Sequence, residues 1–237
     1  MPSYTFTPSI LRGAGTRAVP AIPAGSSFTN NFSLDFDGTD DEITFSNTVA
    51  SDEFTVSLWL KPTAFNTNSA SFPFGMQSSN ANFLKLKSAS ALQFQIGGGS
   101  TNLSNGGSGN DIVLNQWQNL ILIRNSSNVV IAYLNGVAWS TSATTSATLT
   151  INAIGQILSF DGFGYNGGLD EFAVFNTDQS SNVSSIYNSG IPGDLSSLSP
   201  LLWYRFEEGS GTTATDSGTG GNNGTISGAT YSTDVPS

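Results

Sequence analysis

The segment GLDEFAVFN (168–176) carries two adjacent carboxylates, Asp170 and Glu171, at the head of an apolar run. Paired carboxylates are the acid and base of glycoside hydrolysis, and a retaining enzyme holds them about 5–5.5 Å apart. Successive residues on a strand point to opposite faces. Asp170 is therefore expected beside Phe172 and Val174, and Glu171 beside Leu169, Ala173 and Phe175, so that the two do not converge. Glu207 and Glu208 are adjacent in the same way, and no Glu-x-Asp-x-Glu run occurs. The chain has no His and no Cys. That removes the Ser-His-Asp triad, the cysteine nucleophile and the zinc-thiolate site together. No catalytic residue is assigned.

A second constellation is DFDGTDDE (35–42). Calcium takes six to eight oxygen ligands, chiefly carboxylates and carbonyls. Asp37, Asp40 and Asp41 surround a Gly turn and are candidate ligands for a structural calcium ion, with Asp170 joining from a neighbouring strand end. The competing reading is that Asp and Gly simply build the turn.

These residues sit in a chain of 237 with a formal net charge of −10 and only seven Lys and Arg. Phosphate binding is driven by cations, so a nucleic-acid partner is not expected, nor attraction to an anionic membrane. No apolar run approaches the roughly 18–20 residues of a membrane span, so no membrane insertion is expected. The N-terminus lacks a basic start followed by an apolar stretch and does not read as a secretory signal. With 16 Phe, 4 Trp and 6 Tyr a large core can be built.

From about residue 31 apolar residues recur with period two, the mark of half-buried strands. Leu34 and Phe36 share one face, as do Phe54, Val56, Leu58 and Leu60, and Leu92, Phe94 and Ile96. WQNLILIR (117–124) and VVIAYL (129–134) are nearly continuous apolar runs, as expected for strands covered on both faces. Asn135-Gly136 suits a type I′ hairpin. IGGGSTNLSNGGSGND (96–111) reads as a long polar loop. One helical pattern appears at 180–188, with Val183, Ile186 and Tyr187 at i, i+3 and i+4. Asp178 or Ser180 is its expected cap, and Gly190 and Pro192 its end. Short strands, Gly-rich turns and one short helix give an all-β antiparallel sandwich, a jelly roll.

Four motifs then carry a family resemblance. SLDFDGTDDEITF (33–45), FTVSLWLKP (54–62), NQWQNLILIRN with VVIAYLNGV (115–137), and GLDEFAVFN with its helix resemble, in that order, the laminin-G-like, concanavalin-A-like jelly-roll domains. Where that family often has His after its central Trp, this chain has Gln118. LLWYRFEEGSGTTATDSGTGGNNGTISGATY (201–231) resembles a segment that usually precedes the opening strand, yet here it follows the closing one. Either the chain is circularly permuted and the segment completes the same sandwich, which is preferred, or it begins a second repeat. The resulting organisation is an extended arm over 1–30, a jelly-roll core over 31–190, and a linker with completing strands over 191–237.

The resemblance implies glycan binding by exposed aromatics, with Trp59, Tyr133, Trp139 and Tyr165 as candidates alongside Trp203. The style of residues 187–236 is similar to laminin-G-like domains in structural proteins of marine bacteriophages. It implies a non-enzymatic virion component (capsid decoration, fibre or spike) made in the host cytoplasm without a signal peptide and displayed on the particle surface. Its partners would be other virion proteins, or copies of itself, engaged through the arm. The alternative is a carbohydrate-binding or adhesion module of a bacterial surface system.

Overall fold

The computed structural model describes residues 28–65, 71–157 and 164–237. The expected arm lies outside the described residues except for 28–30. The first strands are β1 (Ser33–Asp37), β2 (Glu42–Ala50), β3 (Phe54–Pro62), β4 (Phe74–Met76), β5 (Ser79–Ser88), β6 (Ala91–Ile96) and β7 (Gly99–Ser104). There follow β8 (Gln118–Arg124), β9 (Val129–Leu134), β10 (Val137–Thr144), β11 (Leu149–Ile154) and β12 (Asn166–Phe175). The short helix α1 (Val183–Tyr187) precedes β13 (Leu202–Tyr204), β14 (Thr213–Ala214), β15 (Gly224–Ser227) and β16 (Thr230–Ser232).

Two antiparallel sheets face each other. The first runs β10-β9-β8-β3-β12-β1-β16, with β13 also pairing β12. The second runs β14-β15-β2-β11-β4-β5-β6-β7. Their inward residues form one core, in which Phe74 meets Phe94 and Phe172 edge-on at 6.2 and 5.6 Å. The period-two strands behave as read, with β6 and β9 alternating between buried and half-buried positions. Asn135 and Gly136 both have positive φ, as a type I′ turn needs.

The apolar run of β8 has a second explanation besides the core. On the outer face of the first sheet, Ile121, Ile123, Ala173 and Phe175 pack against Val183 and Ile186 of α1 and against Trp203. The helix follows a 3-10 turn whose Ser180 N–H is held by the Asp178 carboxylate at 2.8 Å. It stops at Asn188, in the left-handed region, two residues before the expected Gly190.

The segment 96–111 is not loop throughout. Gly97 and Gly98, both at positive φ, turn the chain back so that β7 pairs β6. A polar edge strand resembles a loop in composition, and only buried Leu103 betrays it.

Residues 201–232 supply strands to both sheets. β16 pairs β1 (Leu34↔Tyr231) and β13 pairs β12 in the first sheet. β15 pairs β2 (Ile226↔Ile43) in the second. Tyr204, Phe206 and Ile226 enter the common core, and Tyr204 meets Phe45 edge-on at 5.5 Å. Replacing fully buried Phe206 by Ala is expected to cost about 3–5 kcal/mol in urea unfolding. A loss below about 1 kcal/mol would show that these strands do not support the core.

Candidate functional site

The Asp-Glu pair departs from simple alternation. Asp170 stands opposite Trp59 and Ala173 opposite Ser57, so β12 carries one residue more than β3 between those points. This is a β-bulge, and Glu171 takes the left-handed conformation at φ 48°. Leu169 and Phe172 consequently both reach the core. Asp170 shares its face with Trp59, which stacks on Tyr187 of α1, and Glu171 reaches Trp203 on that same side. The expectation that the two carboxylates point apart is overturned: the bulge turns both to the outer face.

Both are buried there. Asp170 accepts hydrogen bonds from Asn30 Nδ2 at 2.9 Å and from the Glu171 N–H at 2.8 Å. Glu171 accepts from Trp203 Nε1 at 2.6 Å and from Arg205 Nε at 3.3 Å. Phe28 lies parallel to Trp203, with ring centres 6.4 Å apart. The Arg205 guanidinium stands 4.2 Å from the Phe28 ring centre. Burial, with the neighbouring Glu171 charge, holds the Asp170 carboxyl well above the usual carboxylate range. Burial pushes Glu171 up to about 8 against the opposing pull of Arg205 and Trp203. Covered by residues 28–30, this pair offers no open face to a substrate.

Asp170 also stands apart from the acidic turn. Asp37 pairs with Asn166, four residues from Asp170, or about 13 Å along the strand. Among the described residues the close carboxylates are Asp37, Asp40 and Asp41, with ligand oxygens within 4.8 Å of one another. One oxygen of Asp37 accepts from Thr39 N–H at 2.7 Å, and one of Asp41 from Asp37 N–H at 2.8 Å. Burial raises the Asp41 pKa, and the charges of Asp37 and Asp40 add to the rise. Hard oxygens with crowded negative charge fit a calcium ion in donor type.

The aromatic candidates are mostly structural. Trp59, Trp139 and Tyr165 are 4%, 3% and 0% exposed and present no face to a ligand, which corrects their assignment as sugar contacts. Helix α1 covers Trp59. Trp139 lies in the register shift between Ala138 and Ser142 and turns into the core. Tyr165 meets Phe36 edge-on and donates its hydroxyl to the Gly168 carbonyl at 3.0 Å. Trp203 is buried too, and Tyr133 packs half-buried on the outer cluster.

The Trp that stays half-exposed is Trp117, which was not among the sequence candidates. Its ring lies over Gly168, where a Cβ would come within 2.7 Å of the indole. Its Nε1 donates to Asp234 at 3.1 Å, and Asp234 is ion-paired with Lys61. Lys61, Gly168 and Asp35 form one cross-strand row. Beside this row opens a cleft of about 340 Å³, lined also by Thr63, Asn115 and Asn166. The available sequence signal was Gly167-Gly168 at the head of an apolar strand, since Gly in a strand marks a close approach.

Residues 37–182 match the family model described as the concanavalin A-like lectin/glucanases superfamily, of laminin G type. The match spans more than half of the chain, and the chain belongs to that family. Among solved structures it is similar to a Bacteroides ovatus protein provisionally described as carbohydrate binding. The TM-score is 0.66 at 19% identity, over 88% of this chain and 62% of that one. It is also similar to the heptameric SAP-like pentraxin of Limulus polyphemus, with TM-score 0.55 at 16% identity, over 84% of this chain and 96% of that one. Both likenesses are of fold. No match was found among curated protein sequences.

Calcium binding at the acidic turn is proposed and is tested by melting. Millimolar calcium is expected to raise the melting temperature and excess chelator to reverse the rise. An unchanged melting curve would assign Asp37, Asp40 and Asp41 to the turn alone.

Proposed function

We propose that the chain is a non-catalytic laminin-G-like module that binds a glycan in the cleft beside Trp117, whose indole packs on the lining residue Gly168 and donates to the lining residue Asp234, and is displayed on a virion surface. The observation that carries the binding is the cleft itself. A half-exposed indole gives a flat apolar face, and Asp35, Thr63, Asn115, Asn166 and Lys61 offer donors and acceptors beside it. A concave site with a few convergent polar groups is the usual form of a small-ligand site. The provisional description of the Bacteroides ovatus protein as carbohydrate binding supports this reading. It equally favours a second setting for the module, a bacterial surface system.

The non-catalytic part rests on the carboxylates. The pair that hydrolysis would need is covered by residues 28–30. Glu207 is engaged with the Asn31 and Phe32 N–H groups, and Glu208 with the Thr215 N–H. Display on a virion is supported by the likeness of residues 187–236 to laminin-G-like domains of marine bacteriophage structural proteins. The segment before residue 28 would join the module to other virion proteins or to further copies.

Trp117→Ala is expected to lower glycan-array binding of the multimerised protein by about tenfold or more, roughly 1.4 kcal/mol, while the fold persists. Asn115→Gly, at an exposed lining position whose φ of 60° glycine adopts freely, should weaken binding with little effect on stability. A clean array with folded wild-type protein would overturn glycan binding. Unchanged binding by both variants would remove the site from this cleft.

A further inference from the structure

We propose that Asp170 and Glu171 form a proton-binding site that fastens residues 28–31, the root of the N-terminal segment, to the outer face of the first sheet. Residues 28–32 join no strand. Side chains of the sheet and of the segment after β13 hold them. Asn30 donates to Asp170, Arg205 donates to the Thr29 carbonyl, and Glu207 accepts from the Asn31 and Phe32 N–H groups at 2.8 and 3.0 Å. The Arg205 guanidinium stands against both rings of the parallel Phe28–Trp203 pair, 4.2 and 5.3 Å from their centres.

The charges do not balance without a proton. Two neighbouring buried carboxylates share one cation, Arg205, and Glu207 adds a further negative charge nearby. Such a pair does not ionise fully, because each charge opposes the other in a poorly solvated place. The donors are also unevenly divided. Glu171 receives Arg205 and the Trp203 indole, which favour its charged form. Asp170 receives one amide and one backbone N–H and no cation. Asp170 therefore carries the proton.

An independent observation points the same way. The amide oxygen of Asn30, whose nitrogen already donates to Asp170, is buried with no hydrogen-bond partner. An ionised Asp170 has nothing to give it, whereas a protonated carboxyl has one O–H donor. Docking thus takes up a proton at Asp170, on the side of the Asn30 amide, and undocking returns it.

The sign follows from the raised carboxyl. The docked state binds more protons than the undocked one between the ordinary Asp value of 3.8 and the raised value. The fastening is complete below that window and weakens as pH rises through it. At higher pH the root of the segment is released.

The test uses the full chain. Hydrogen exchange of residues 28–32, corrected for the intrinsic rate, should show protection falling about tenfold per pH unit within the window. The Asp170 side-chain carbon, followed by NMR, should titrate well above the ordinary Asp value of 3.8. Asp170→Asn supplies a permanent N–H donor and no charge, so its protection should stay flat with pH. A wild-type Asp170 titrating near 3.8, or protection independent of pH, would overturn the proposal. So would an Asp170→Asn profile that follows the wild type. If that variant does not fold, the wild-type titration decides alone.

Discussion

The extra residue in β12 is the constraint on which much of the sandwich depends. β12 has β3 along one edge, and its other edge is shared by two strands. β1 takes Asn166–Leu169, and β13 takes Phe172–Val174. The handover falls on Asp170 and Glu171, the residues that the bulge displaces. The left-handed turn at Glu171 resets the alternation, so that Leu169 and Phe172 both fill the core while Ala173 and Phe175 face α1. A side chain forced into that backbone region stores strain. Here the Glu171 carboxylate is held by an indole and a guanidinium from the very segment that joins at that point.

The C-terminal part of the chain reaches both candidate sites. Trp203 and Arg205 organise the acid pair, while Asp234, just past β16, ties the Trp117 indole to Lys61. That second tie also lowers the Asp234 pKa, through the Lys61 and Trp117 hydrogen bonds. One terminal segment thus completes the sheets and sets the outer surface, which couples stability to the shape of the cleft.

Much of the architecture was legible because period-two burial is written directly in residues such as Leu92, Phe94 and Ile96. Asn135-Gly136 announced its turn, and the motif order announced the family. The bulge was not legible, since nothing in LDEF replaces Glu171 by the Gly that would normally signal positive φ. The exposed aromatics were misread for a different reason. Whether Trp59 or Trp203 sees solvent is decided by α1 and by residues 28–30, which are remote in sequence. Trp117 stayed half-open because, among the described residues, nothing comparable covers the end of the sheet where Asp35 and Lys61 lie. β7 was hidden by its Ser, Thr and Asn content, which serves an edge strand as well as a loop.

The pairing of β1 with β16 has a mechanical consequence. Ser33 begins β1, Ser232 ends β16, and the two stand opposite each other. Tension applied through the chain on either side would therefore open that pair from one end, bond after bond, rather than shear all its bonds at once. The fold would yield there at low force, and the Ser33 hydroxyl bond to the Asp234 carbonyl would be among the first to part.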